Sequence, residues 1–144
     1  MNFNDNGVLD PGPPIKMTWE EFYNFFSFSP RRKELLIGLE KVLPFIKTIE
    51  ATIYIDGSFV TNKLEPGDWD ACYDCHLEDI REKMIELEYR YGYPLSDRKK
   101  QKLLYKGELF HARWKADEHG TLFIDFFQQI RNSTDKKGIV EIIL

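Results

Sequence analysis

Two hydrophobic periods run along this chain, and each predicts a different kind of element. Between residues 18 and 47 apolar positions recur every three or four residues, the helical period. In TWEEFYNFFSF, Thr18 and Glu21 stand at capping-box spacing, and Trp19, Phe22, Tyr23 and Phe26 fall on one face. SPRRKELLIGLEKVLPFIK follows as a second helix, with Ser29 as its N-cap and Pro30 in its first turn. Leu35, Leu39, Val42, Leu43 and Ile46 form its apolar stripe. Residues 51–56 then read as a buried strand and 68–75 as its neighbour. The helical period returns from Asp79 to Tyr91, with Ile80, Met84, Leu87 and Tyr91 in phase and Gly92 as the stop, and again from Ser96 to about Tyr105. TLFIDFFQQ and GIVEIIL are expected to be two further strands, separated by the polar turn RNSTDKK. The first seventeen residues, rich in Pro, Gly and Asn, are expected to form an irregular arm. The order predicts a single α/β (α+β) domain over 1–144, a mixed sheet with helices mainly on one side.

Composition narrows the class. A chain of 144 residues with 42% hydrophobic and 15% aromatic content can bury a core, and no apolar run approaches the length that spans a bilayer. The opening MNFNDNGVLDPGPP has neither the basic nor the apolar region of a secretion signal, so a cytoplasmic address without membrane association is expected. Two cysteines make no disulfide framework. A net charge of −4 argues against broad nucleic-acid binding.

The chemistry concentrates in IYIDGSFVTNKLEPGDWDACYD. Strand interiors disfavour Asp, yet the second predicted strand opens Asp68-Trp69-Asp70. Alternation sends both carboxylates to one face, their Cα atoms roughly 6.5–7 Å apart, with Trp69, Ala71 and Tyr73 facing the core. Two carboxylates on one face repel, and a divalent cation resolves the conflict. Asp125, set among apolar neighbours in LFIDFF, could close a three-oxygen site if its strand lies beside 68–75. Hard oxygen ligands suit Mg2+, which in turn suits a nucleoside triphosphate. Gly57 permits a close backbone approach and Ser58 offers a hydroxyl at the start of a short helical turn, so the first strand stops where phosphates could sit.

The spacing of DGS, nine intervening residues, DWD and the later FIDFF resembles the nucleotidyltransferase superfamily that includes DNA polymerase beta and the minimal nucleotidyltransferases. More closely, the arm with TWEEF, then GSFVTNKLEPGDWDACYD, QKLLYKGELF, DFFQ and KGIV, resembles a family of small bacterial and phage nucleotidyltransferase-like proteins over nearly the whole chain. The resemblance implies that Asp68, Asp70 and Asp125 are catalytic and bind two Mg2+ ions, with Mn2+ as a possible substitute. It also implies that Gly57 and Ser58 hold phosphate, with Lys63 and Lys102 balancing its charge. The implied reaction transfers a nucleoside monophosphate from an NTP to a hydroxyl of a protein, a tRNA or a small molecule. By analogy, a partner protein of the toxin–antitoxin or phage-defence kind is expected. The alternative is a nucleotide-binding or partner-neutralising, antitoxin-like module on the same fold that turns nothing over.

Other motifs read more plainly. Cys72, Cys75 and His76 in CYDCH lack a second ligand pair for zinc, and strand alternation turns the two thiols apart. For Asp125 the structural reading is an ion pair with Arg113 or Arg131, and for Asp74 a solvated strand end. Arg31 to Lys33 and Asp97 to Lys102 are the usual composition of solvated helix faces, although the second run could wall a phosphate groove. The stripe Trp19, Phe22, Phe26 belongs to the core.

Overall fold

The computed structural model describes residues 2–75, 80–94, 97–130 and 135–144. The elements run β1 (Ile15–Thr18), α1 (Trp19–Phe26), α2 (Pro30–Glu40), α3 (Leu43–Thr48), β2 (Thr52–Asp56), a 3-10 turn (Gly57–Val60) and β3 (Trp69–Asp74). They continue α4 (Ile80–Tyr91), α5 (Arg98–Tyr105), β4 (Gly107–His111), α6 (Phe123–Phe126) and β5 (Val140–Ile143). The strands form one mixed sheet in the order β1-β5-β2-β3-β4. β2 pairs antiparallel with β3 and β5, whereas β1 with β5 and β3 with β4 run parallel.

Register explains the two faces. Met17, Ile53, Ile55, Trp69, Ala71, Tyr73, Leu109, Val140 and Ile142 alternate onto one side and join a single core with Phe22, Phe26, Leu35, Leu39, Ile46, Met84 and Leu87 of the helices. The expected mixed sheet with helices on one side is therefore what forms. The opposite face carries Tyr54, Asp56, Asp70, Cys72, Asp74, Glu108, Phe110 and Glu141 at matched positions. No helix among the described residues is long and apolar enough to cross a membrane.

Local chemistry accounts for most of the boundaries. Thr18 and Glu21 make the reciprocal capping box, Ser29 caps α2 through the Arg32 N–H, and Gly92 stops α4 at a φ of 75°. Four expectations need correction. The second helix is two: Pro44 cannot donate to the ladder and its ring crowds the carbonyl one turn back, so α2 ends and α3 begins anew. The arm is irregular only as far as residue 14, because Ile15 and Met17 alternate inward and pair with β5. GELFH, given no element, is the edge strand β4. TLFIDFFQQ is not a strand; Phe123–Phe126 turns helically, which sets Phe123 and Phe127 one turn apart and packs both against Phe110. The helix starts expected at Asp79 and Ser96, the side chains of Ile80 and Tyr91, and His76, Arg131 and most of the turn 131–137 lie outside the described residues.

Candidate functional site

Three strands bring acids into one row. Asp56 closes β2 opposite Asp70, and Glu108 of β4 lies opposite Asp70 on the other side. Adjacent strands are about 4.8 Å apart, so the three carboxylates stand side by side on the face away from the helices. Asp68, immediately before β3, joins from the same side: the Lys102 ammonium lies 3.4 Å from Asp68 Oδ2 and 2.8 Å from Glu108 Oε1. Lys102 reaches them because α5, capped by Asp97, ends at a left-handed Lys106 that turns directly into β4. The Trp69 indole fastens this junction by donating to the Tyr105 carbonyl at 2.7 Å.

Charge in the row is unbalanced. Burial first, then the neighbouring Asp68 and Glu108, raise the Asp70 pKa to about 7, and Lys102 and Lys137 oppose this only in part. Asp56 is completely buried and its carboxyl is pushed well above the usual range, again by burial and then by Asp70. One of its oxygens receives the Cys72 thiol at 3.4 Å; the other, Oδ1, has no hydrogen-bond partner among the described residues. The Lys137 ammonium is drawn down by burial and held up by Asp56 and Asp70. This stretch therefore holds more carboxylate than it neutralises.

The glycine-serine turn abuts the row. Gly57 has a φ of 71°, a left-handed value, and a Cβ there would come 2.6 Å from Asp70 Oδ2, so only glycine lets the turn pass so close to the acid. Ser58 is half-buried beside it. The loop onward to Asp68 is clamped by the start of α2. Ser29 Oγ donates to Leu64 O, Arg31 to Pro66 O and Gly67 O, and Arg32 to the carbonyls of Phe26, Phe59, Thr61 and Lys63. Arg32 is fully buried, with its guanidinium 4.1 Å from the Phe28 ring, and burial lowers its pKa to about 10. This corrects the reading of Arg31 to Lys33 as a solvated face for the two arginines, whereas Lys33 is exposed. Arginines in a first turn oppose the helix dipole, and here the loop carbonyls compensate.

The residues singled out from the sequence divide accordingly. Asp68, Asp70, Gly57, Ser58 and Lys102 come together, although Lys102 meets carboxylates rather than open space. Lys63 is exposed on the clamped loop, where its backbone carbonyl serves Arg32. Asp125 does not join them. It is exposed on α6, whose Ile124 N–H donates to the Ala112 carbonyl just past the far end of β4, four residues or about 13 Å along from Glu108. Arg113 pairs with Asp74 through two 3.0 Å contacts, so Asp74 is an ion-paired strand end. Sequence reasoning missed Glu108 and Asp56. For Glu108 the signal was Gly107, Leu109 and His111 alternating around it; for Asp56 it was an acid in the last strand position before Gly57.

Could a divalent cation fit? Among the described residues no three His, Cys, Asp or Glu side chains converge closely enough to cage an ion as they stand, and a lysine ammonium lies between two of the acids. The donor set nevertheless suits a hard cation: partly buried Asp68, Asp70 and Glu108 supply oxygens from one face, and the burial and repulsion that lift Asp70 are what a cation offsets. The thiols are unsuited, since both are buried and Cys75 donates to the Ile49 carbonyl.

No curated protein and no solved structure matches the chain. A family of unknown function, DUF6932, matches residues 1–143, which takes in the acid row, the glycine-serine turn and every strand; the chain belongs to that family.

Proposed function

We propose that the protein is a divalent-cation-dependent nucleotidyltransferase in which Asp68, Asp70 and Glu108 hold Mg2+ or Mn2+. The observation that carries this reading is the register that sets Glu108 beside Asp70, with Asp68 two residues earlier and the Gly57-Ser58 turn against them. When bound, the cation would neutralise phosphate charge and lower the pKa of the attacking hydroxyl. The chain's own residues hold the rest of the arrangement. Gly57 lets the turn run directly against Asp70, the half-buried Ser58 follows it and would offer its hydroxyl to phosphate, and Lys102, once released from Asp68 and Glu108, would pair with the triphosphate. An acceptor hydroxyl oxygen bonds to the α-phosphorus, the bond to the pyrophosphate oxygen breaks with its electron pair, and the hydroxyl proton passes to water.

Incubation with α-labelled NTPs, Mg2+ or Mn2+ and a cell lysate tests this. Label transferred by the wild type and lost in Asp70→Asn is the expected result; equal transfer by Asp70→Asn would overturn it. One observation favours a second reading, a nucleotide-binding or partner-neutralising module without turnover: Lys102 already bridges two of the acids. Tight NTP binding that is indifferent to divalent cations, with no transferred label, would select that reading.

A further inference from the structure

A cavity of about 440 Å3 opens at the outer edge of β4, and its walls are aromatic. Phe110 and Phe123 stack with ring centroids 4.6 Å apart, and His111 and Trp114 stack at 4.9 Å with their planes nearly parallel. The two pairs come from opposite faces of β4, so the cavity wraps the free edge of the strand. Polar groups of both signs line it as well: Glu88 from α4, and Arg98 from the start of α5, whose guanidinium lies 5.5 Å from the centre of the Phe110 ring. The His111 Nδ1 accepts from the Arg113 N–H, so in the neutral ring the proton, and a donor, sits on Nε2, and burial shifts the imidazole pKa downward. A mainly apolar cavity of this size with a few fixed polar groups is the usual form of a small-molecule site.

Position gives the cavity its meaning. Phe110 shares a strand face with Glu108, two residues and about 6.6 Å further along β4. The Gly57-Ser58 turn borders the acid row from the β2 side; on the β4 side the row ends at Glu108, and the nearest wall of the cavity is Phe110 on the same strand face, with none of the four acids lining the cavity itself. In an in-line displacement the leaving pyrophosphate and the attacking oxygen lie on opposite sides of the phosphorus. If phosphates occupy the turn, the group across the acids is the acceptor.

We infer that this cavity is the acceptor subsite and that it takes a nucleoside, its base held against Phe110 and Phe123 and a ribose hydroxyl directed toward Glu108. The inference rests on the nucleotidyltransferase reading for its chemistry, but the cavity can be tested without it. Planar rings find stacking partners here, and donors and acceptors such as Arg98, Glu88 and His111 can read a heterocycle's edge, which a purely hydrocarbon acceptor would not use. The covalent step is the one already written: the ribose oxygen bonds to the α-phosphorus, pyrophosphate leaves with the electron pair, and the hydroxyl proton goes to water.

The test titrates adenosine, guanosine, cytidine and uridine into the full chain without any divalent cation, following tryptophan fluorescence, since Trp114 lines the cavity. Saturable quenching by at least one nucleoside is expected, weakened at least about tenfold by Phe110→Ala and by Ile85→Trp, and unchanged in Lys47→Ala on the exposed face of α3. Ile85 lines the cavity yet is 67% exposed, so its enlargement blocks the mouth without disturbing the core. A dinucleoside monophosphate that binds more tightly than its nucleoside would assign the unit to the end of a strand; weaker binding would assign it to the free nucleoside. No saturable quenching up to roughly 10 mM, or quenching that both variants leave intact, would overturn the inference. Because no metal or NTP is present, that failure is separate from failure of the transferase reading, which the label assay reports.

Discussion

The two ends of β3 hold the same residue type on the same face and treat it in opposite ways. Asp74, at the C-terminal end, meets Arg113 through two 3.0 Å contacts. Asp70, four residues earlier, meets carboxylates: burial first, then Asp68 and Glu108, raise its pKa to about 7, and no guanidinium among the described residues answers it. Pairing at the first end makes an aspartate compatible with a strand. Crowding at the second costs the fold stability, and groups kept at such a cost cluster at functional sites. The difference teaches that the acid row carries negative charge that Lys102 and Lys137 answer only in part.

The largest way to break this contrast is to release the loop that delivers Asp68. Arg32→Ala should cost about 3–5 kcal/mol in chemical denaturation, since four carbonyls lose a buried cationic donor. Next comes the crowding itself. Asp70→Asn should stabilise the cation-free protein at pH 8 by about 1–3 kcal/mol, because the amide carries no charge into the row. The pH profile sharpens the same point. A folded pKa near 7 lies above that of an unfolded aspartate, so the folded state holds a proton that the unfolded chain releases. Asp70's contribution is complete below about pH 4 and is lost as pH rises toward 8. Thermal melts should show the wild type falling across that window and Asp70→Asn falling less. Saturating Mg2+ should then recover about 1–3 kcal/mol in the wild type at pH 8 and little in Asp70→Asn. The smallest effect belongs to the far end: Arg113→Ala, on a surface pair, should shift the melting temperature slightly and leave the Mg2+ response unchanged.

How much of this was legible follows from where the deciding contacts lie. Caps and breakers are local, so Thr18 with Glu21, Ser29 and Gly92 could be read directly. Alternation gave β2, β3 and β5 to within a residue or two, and with them the shared face of Asp68 and Asp70. Asp125 misled because a short apolar run fits either period; the choice was made by the Phe123–Phe127 spacing against Phe110, a contact between distant parts of the chain. Glu108 was hidden for the related reason that a five-residue edge strand takes its conformation from its neighbour β3. Arg32 looked like any surface charge, and only the fold of the loop across α2 turns it into a buried clamp. Local chemistry was readable, and long-range pairing was not.

The central claim is that Asp68, Asp70 and Glu108 together hold a divalent cation, and Mn2+ titration followed by calorimetry addresses it directly. The wild type and Asp125→Asn should bind alike, whereas Asp70→Asn and Glu108→Gln should each lose at least about tenfold in affinity. Binding by Glu108→Gln at wild-type strength, or its loss in Asp125→Asn, would contradict the account.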